Sequence, residues 1–200
     1  MKTPSTIFLA SANLHKIEEL RQNLAPLHIQ ITSTRDLEDA EDVIEDKPDL
    51  EGNALKKARH WHEVTGLPAL ADDTGLEVDA LGGAPGVYSA RYAGENVSYA
   101  ENVEKLLREM EGNADRSARF RTVIAYVTDE GEYLFEGVCE GVITTEPKGE
   151  KGFGYDPVFS PEGYDKTFAE LSAEEKNRIS HRGLALAKFV EWQKTMHKSS

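Results

Sequence analysis

The sequence predicts an α/β fold, a single domain over residues 1–200, and three observations predict it. Short apolar runs of strand length alternate with stretches whose apolar residues recur at helical spacing. At 200 residues and 39% hydrophobic content, the chain is long enough to bury one full core, in one body or two lobes. The segments between these runs are polar and punctuated by glycine and proline, as connections are.

Ser5 to Ala10 is compact and apolar and reads as a strand. A helix comes next, with Leu14, Ile17, Leu20 and Leu24 on one stripe and Asn13 or Ser11 as its N-cap. Lys16 then falls in the first turn, among free backbone N–H groups and the positive end of the helix dipole. A cation there makes an anion pocket. His28 to Ser33 alternates as a second strand. The acidic residues 35–51 come after it, with a turn at Glu45-Asp46-Lys47-Pro48-Asp49. Glu51 to Thr65 reads as a helix burying Leu55, Ala58, Trp61 and Val64, with a basic flank of Lys56, Lys57 and Arg59. His60 and His62, two apart on a helix, face different ways and make no metal site.

Leu67 to Leu70 is a further apolar run, and Asp72-Asp73-Thr74-Gly75 lies just beyond it. Adjacent carboxylates at the end of a buried strand are costly unless a cation or a set of donors takes up the charge. Neighbouring side chains of a strand point to opposite faces. Both acids therefore serve one site only if the chain ends or bends at Thr74-Gly75, and a surface turn closing a hairpin is the plainer alternative.

Residues 82–94 form a long shaped loop with Arg91 between Tyr88 and Tyr92. Tyr99 to Met110 is an amphipathic helix, and Arg119–Thr128 with Glu132–Thr144 form a hairpin around Asp129-Glu130-Gly131. Gly152-Phe153-Gly154-Tyr155-Asp156-Pro157 suits either a slot for a flat ring or a tight turn whose aromatics are core. Ser172 to Glu175 is a capping box, and its helix is expected to run through Lys176 and Ile179–Gly183 into Leu184, Leu186, Ala187 and Val190.

Composition narrows the function. Against 36 acidic residues stand 23 basic ones, a formal charge of -13, which disfavours duplex nucleic acid as a partner. Cys139, the only cysteine, precludes an intrachain disulfide and reads as a small core residue in a protein of a reducing compartment. Neither a signal peptide nor a membrane-spanning run is visible, so a cytoplasmic protein without a membrane partner is expected. The dinucleotide-binding and P-loop glycine patterns are absent. There remain a helix-end pocket with Lys16, acids at 45, 72 and 73 able to hold Mg²⁺, an aromatic slot and two more cation clusters. That set suits hydrolysis of a nucleoside triphosphate.

The stretches 11–16, 51–58, 71–81, 83–94, 152–159 and 175–183, taken together and in this order, resemble the Ham1/RdgB family of inosine/xanthosine triphosphate pyrophosphatases. The resemblance covers most of the chain. It implies an elongated mixed β-sheet flanked by helices, two lobes around a central cleft, and a homodimer. The implied activity is Mg²⁺-dependent conversion of ITP, dITP and XTP to monophosphate and pyrophosphate, which cleanses nucleotide pools. By position, Ser11, Ala12, Asn13, Leu14, His15 and Lys16 would hold the triphosphate, and Lys57 would reach a phosphate. Asp73 would be metal ligand and base, with Asp72 assisting and Glu45 a second metal ligand. That last assignment rests on spacing to Asn53-Ala54, with Glu41 and Glu51 as alternatives. Thr74, where the family commonly has Ser, would contact substrate. Phe153, Gly154, Tyr155 and Asp156 would enclose base and sugar, with Lys176, His181 and Arg182 completing recognition. A donor from His181 or Arg182 to the purine O6 would favour inosine and xanthosine over adenosine.

Overall fold

The protein, seen as a computed structural model, is described over residues 4–41 and 43–198. Its seven strands among the described residues form one mixed sheet, in the order β2-β1-β3-β5-β6-β7, with β4 paired to β3. These are β1 (Thr6–Leu9), β2 (Gln30–Ser33), β3 (Ala69–Val78), β4 (Pro85–Gly86), β5 (Ser117–Thr128), β6 (Gly131–Ile143) and β7 (Phe159–Pro161). The helices are α1 (Leu14–Leu24), α2 (Leu50–Thr65), α3 (Tyr99–Glu109), α4 (Ala173–Ile179) and α5 (His181–Lys198). Strand β1 runs parallel to β2 and β3, whereas β3–β4 and β6–β7 are antiparallel. The expected α/β class and mixed sheet are therefore what the chain adopts.

The residues fall into two compact units, and β3, β5 and β6 contribute to both. Unit 1 takes residues 1–73, 122–137 and 182–200. Its core packs Ile7 and Leu9 of β1 against Ile17, Leu20 and Leu24 of α1 and Leu186 and Phe189 of α5. Unit 2 takes residues 74–121 and 138–181. There Leu76 and Val78 meet Val103 and Leu106 of α3 and the rings of Phe120, Phe159 and Phe168. Cys139 lies in this core, and burial pushes its thiol up to about 11, so it behaves as the inert apolar residue expected.

Several sequence expectations are corrected. Leu14 is 51% exposed, so the buried stripe of α1 is Ile17, Leu20 and Leu24. On α2 the inward residues are Leu50, Asn53, Ala54, Lys57, Ala58 and Trp61, while Val64 is 59% exposed. The buried face is thus rotated from the one that apolar residues alone marked, because Asn53 and Lys57 point inward. The chain neither ends nor turns at Thr74-Gly75, for β3 continues to Val78. Gly75 makes this possible, since a Cβ there would lie 2.8 Å from the Gly86 carbonyl oxygen of β4. The final helix is two helices. Ser180 donates its N–H to the Lys176 carbonyl and turns extended (ψ 151°), and α5 restarts at His181. Along α5, Ala185, Leu186 and Phe189 face the core, while Leu184 and Ala187 are exposed.

Candidate active site

The last residue of β1, Leu9, pairs in parallel with Ser33 of β2 and Leu70 of β3. The segments beyond these three positions therefore lie at the same end of the parallel pairing, the usual place for ligands in parallel sheets. They are the Ser11–Lys16 loop, the 3-10 turn Thr34–Asp36 and the Asp72-Asp73 pair. Asn13 caps α1, its side-chain oxygen accepting the N–H groups of His15 at 3.0 Å and Lys16 at 3.3 Å. The Ser11 hydroxyl accepts the N–H of Asn13 at 3.2 Å. The cap holds the loop and fixes the helix start from which Lys16 projects.

Asp72 is 2% exposed yet faces two cations directly. Lys16 Nζ lies 3.1 Å from its Oδ2, and Arg182 Nε lies 3.1 Å from the same atom. Arg182 gives Nη1 to Glu19 at 2.5 Å. Glu19 stands one turn beyond Lys16 on α1, and the charges form a chain of alternating sign: Lys16, Asp72, Arg182, Glu19. Burial alone would raise the Asp72 carboxyl, but Lys16, Arg182 and Lys57 outweigh it and hold the group far below the usual carboxylate range. Burial would likewise depress the Arg182 guanidinium, and Asp72 and Glu19 instead push it up.

Asp73, 5% exposed, sits in a different electrostatic setting. Lys57 Nζ is 2.6 Å from Glu45 Oε1, 2.7 Å from the Asp72 carbonyl oxygen and 3.7 Å from Asp73 Oδ1. Burial and the neighbouring Glu45 carboxylate push the Asp73 carboxyl up, against the pull of Lys57 and Lys16. Burial acts on Glu45 too, but the charge and hydrogen bond of Lys57 overcome it and lower that carboxyl. Lys57 is itself held protonated, its burial outweighed by Asp73, Glu45 and Asp72. Asn53 accepts the Lys47 N–H at 2.9 Å and hydrogen-bonds Asp73, tying the segment that carries Glu45 to β3. Of the three acids weighed from sequence, Glu45 is the one that shares Lys57 with Asp73. Glu41 is exposed, and Glu51 lies in the first turn of α2.

Unit 2 carries the expected ring-binding residues. Asp156, 3% exposed, takes the Lys176 ammonium at 2.7 Å and the Phe153 N–H at 2.8 Å on one oxygen. Lys176 Nζ also lies 5.1 Å from the centre of the Phe153 ring. Tyr155 is buried, its hydroxyl donating to the Ser89 carbonyl at 2.9 Å, and Gly154 follows Phe153 with φ +64°. His181 is buried and stacks on Phe120, with ring centroids 4.5 Å apart and planes 16° from parallel. Thr74 is half-buried at the start of this unit's share of β3.

Residues 7–192 match the Ham1 family. The chain belongs to the Ham1 family. A relative from Desulfotalea psychrophila named dITP/XTP pyrophosphatase is 53% identical over 92% of this chain and 82% of its own length. One of the same name from Chlorobaculum tepidum is 52% identical over 90% and 89%. Among solved structures, a HAM1 protein from Coxiella burnetii matches with TM-score 0.86 and 42% identity, over 96% of this chain and 98% of that one. A nucleoside-triphosphatase / dITP/XTP pyrophosphatase from Mycobacterium abscessus matches with TM-score 0.75 and 43% identity, over 92% and 97%.

In this Ham1 chain, two residues of the site had no role assigned from sequence: Glu19, which lies outside the resembling stretches, and Asn53, which lies inside 51–58. A weak signal existed for each. Glu19 lies three residues beyond Lys16 on one helix face, and Asn53 is a polar residue one turn before Lys57. Arg182, expected at the base, is engaged by Asp72 and Glu19. Among the described residues no group of three or more His, Cys, Asp or Glu gathers as a metal cage. Two carboxylates suffice for Mg²⁺, which completes its shell with water and substrate phosphate. The pair Glu45 and Asp73 already draws an ammonium between its oxygens, so its donor chemistry suits a hard cation.

Proposed function

We infer that the protein is a nucleoside triphosphate pyrophosphatase acting on ITP, dITP and XTP and releasing monophosphate and pyrophosphate, in keeping with the names of its relatives. One observation carries this reading. Two adjacent carboxylates are tuned in opposite directions, Asp72 locked as an anion and Asp73 pushed toward holding a proton. Such separation assigns roles. Asp73 is the base, taking the proton of a water whose oxygen attacks the α-phosphorus as the bond to the β-phosphate oxygen breaks. Asp72 holds no proton to exchange. It anchors Lys16, whose ammonium, with the N-terminal turn of α1, neutralises the triphosphate.

Glu45 and Asp73 would hold Mg²⁺, with Lys57 beside them. When bound, the ion supplies charge neutralisation at the phosphates and lowers the proton affinity of water. Lys57 steadies Glu45 and stands ready to meet a phosphate oxygen. In unit 2, the Lys176–Asp156 pair fixes Phe153 for stacking on a purine, and His181 is the donor to its O6. The active species is a cytoplasmic homodimer whose interface includes the 82–94 loop, and its role is removal of aberrant purine nucleotides.

The test measures pyrophosphate release from ITP, dITP, XTP, GTP and ATP, with and without Mg²⁺. The expected outcome is turnover of the first three that needs the metal. Asp73→Asn should keep the fold and lower kcat about 10²-fold or more. Equal kcat/KM for all five nucleotides, or unchanged turnover in the variant, would refute the assignment.

A further inference from the structure

Arg35 is a cation with no part in the chemistry above. It belongs to the 3-10 turn Thr34–Asp36, which leaves β2 beside the loop leaving β1. The turn is pinned from within, because Asp36 Oδ2 accepts the Ser33 N–H at 2.7 Å and the Ser33 hydroxyl at 3.1 Å. Asp36 is further engaged by Arg21 at 3.9 Å. From this fixed base the exposed Arg35 side chain reaches across and gives Nη1 to the Ala12 carbonyl, at a long 3.4 Å. Among the described residues it has no carboxylate partner, although residues 35–51 are rich in acids. A guanidinium carries five donors, and this weak bond occupies one of them.

We propose that Arg35 binds the outer phosphates of the triphosphate, on the far side of the Ser11–Lys16 loop from Asp72, and so selects triphosphates over shorter nucleotides. The proposal rests on the pyrophosphatase reading for the substrate, but its physical basis is the contact to Ala12. A polyphosphate tracking the backbone of residues 11–13 passes the carbonyl that the Arg35 fork already touches. Losing a 3.4 Å bond to a carbonyl costs little against a charge-assisted bond to phosphate. Lys16 and Arg35 are complementary, the first tied to the Asp72 carboxylate and the second to the Ala12 carbonyl by one long bond.

The experiment pairs calorimetric titration of inorganic tripolyphosphate with steady-state turnover of dITP, for the wild type, Arg35→Gln and Arg35→Lys. Arg35→Gln should weaken tripolyphosphate binding about tenfold and raise KM to a similar degree, with kcat within about twofold. Arg35→Lys should recover part of the loss, having the charge but not the fork. Tripolyphosphate affinity unchanged in a normally melting Arg35→Gln protein overturns the proposal. A fall in kcat at constant KM overturns it too, since Arg35 would then act by shaping the loop. If the wild type releases no pyrophosphate from any nucleotide, the enzymatic reading fails, and the tripolyphosphate titration still decides the role of Arg35.

Discussion

Asp72 shows how a single carboxylate can be buried at low cost. A lone ionised aspartate in a protein interior would protonate rather than stay charged. Here Lys16 and Arg182 face it at 3.1 Å each, and Lys57 adds its charge through the strand. Removing the anion leaves the buried Arg182 with Glu19 alone and takes from Lys16 its ion pair, the expensive direction for such a cluster. Asp72→Asn should therefore cost about 3 kcal/mol at pH 7. Because the folded-state group titrates far below the ordinary aspartate range, its contribution is fully present above that range. It is lost as the pH falls through the depressed folded value. Urea melts at pH 7 and pH 3 should thus show a large gap between wild type and Asp72→Asn that narrows in acid. A gap that is equal at both pH values would mean that the charge of Asp72 is not what stabilises the fold.

Elements were legible where the local chemistry decides them. Asn13 and Ser172 announce helix starts by their capping chemistry, and both helices begin there. The Asp129–Gly131 turn announces the β5–β6 hairpin. The features that escaped notice depend on partners distant in sequence. The expectation of an end or bend at Thr74-Gly75 assumed that one face must serve both acids. Cations from α1, α2 and α5 reach them, so β3 can run on. The break at Ser180 has no proline or glycine to mark it. Gly152 is a case in which the sequence hinted and the geometry explains. Its φ is +74°, and a Cβ there would lie 2.0 Å from Asp156 Oδ2, the oxygen that takes both Lys176 and the Phe153 N–H. Gly152→Ala should disturb the loop that presents Phe153, raising KM for dITP about tenfold or more. Binding of inorganic tripolyphosphate, which has no ring to stack, should stay as in the wild type. Equal loss for both ligands would place the damage in the fold rather than in ring recognition.

For the whole molecule the dominant quantity is the charge of -13. Composition gives the sign of the charge, but where the few useful cations gather depends on the parallel register of β1, β2 and β3. The same charge bears on the proposed homodimer. Two such chains repel each other, and over about 30 Å at 0.01 M salt most of their charges are felt, against about 8 Å at 0.15 M. Association must then be driven by a local apolar and aromatic patch. In the 82–94 loop Tyr88 is 59% exposed, with the Arg91 guanidinium 5.1 Å from its ring centre. Tyrosine and arginine are the residue types that dominate interface energetics. Sedimentation velocity should therefore show the dimer strengthening as salt rises from about 0.01 to 0.15 M, the reverse of an interface held by ion pairs. Tyr88→Ala should weaken it about tenfold or more at either salt. A dimer that weakens with added salt, or one indifferent to Tyr88→Ala, would move the interface to another surface.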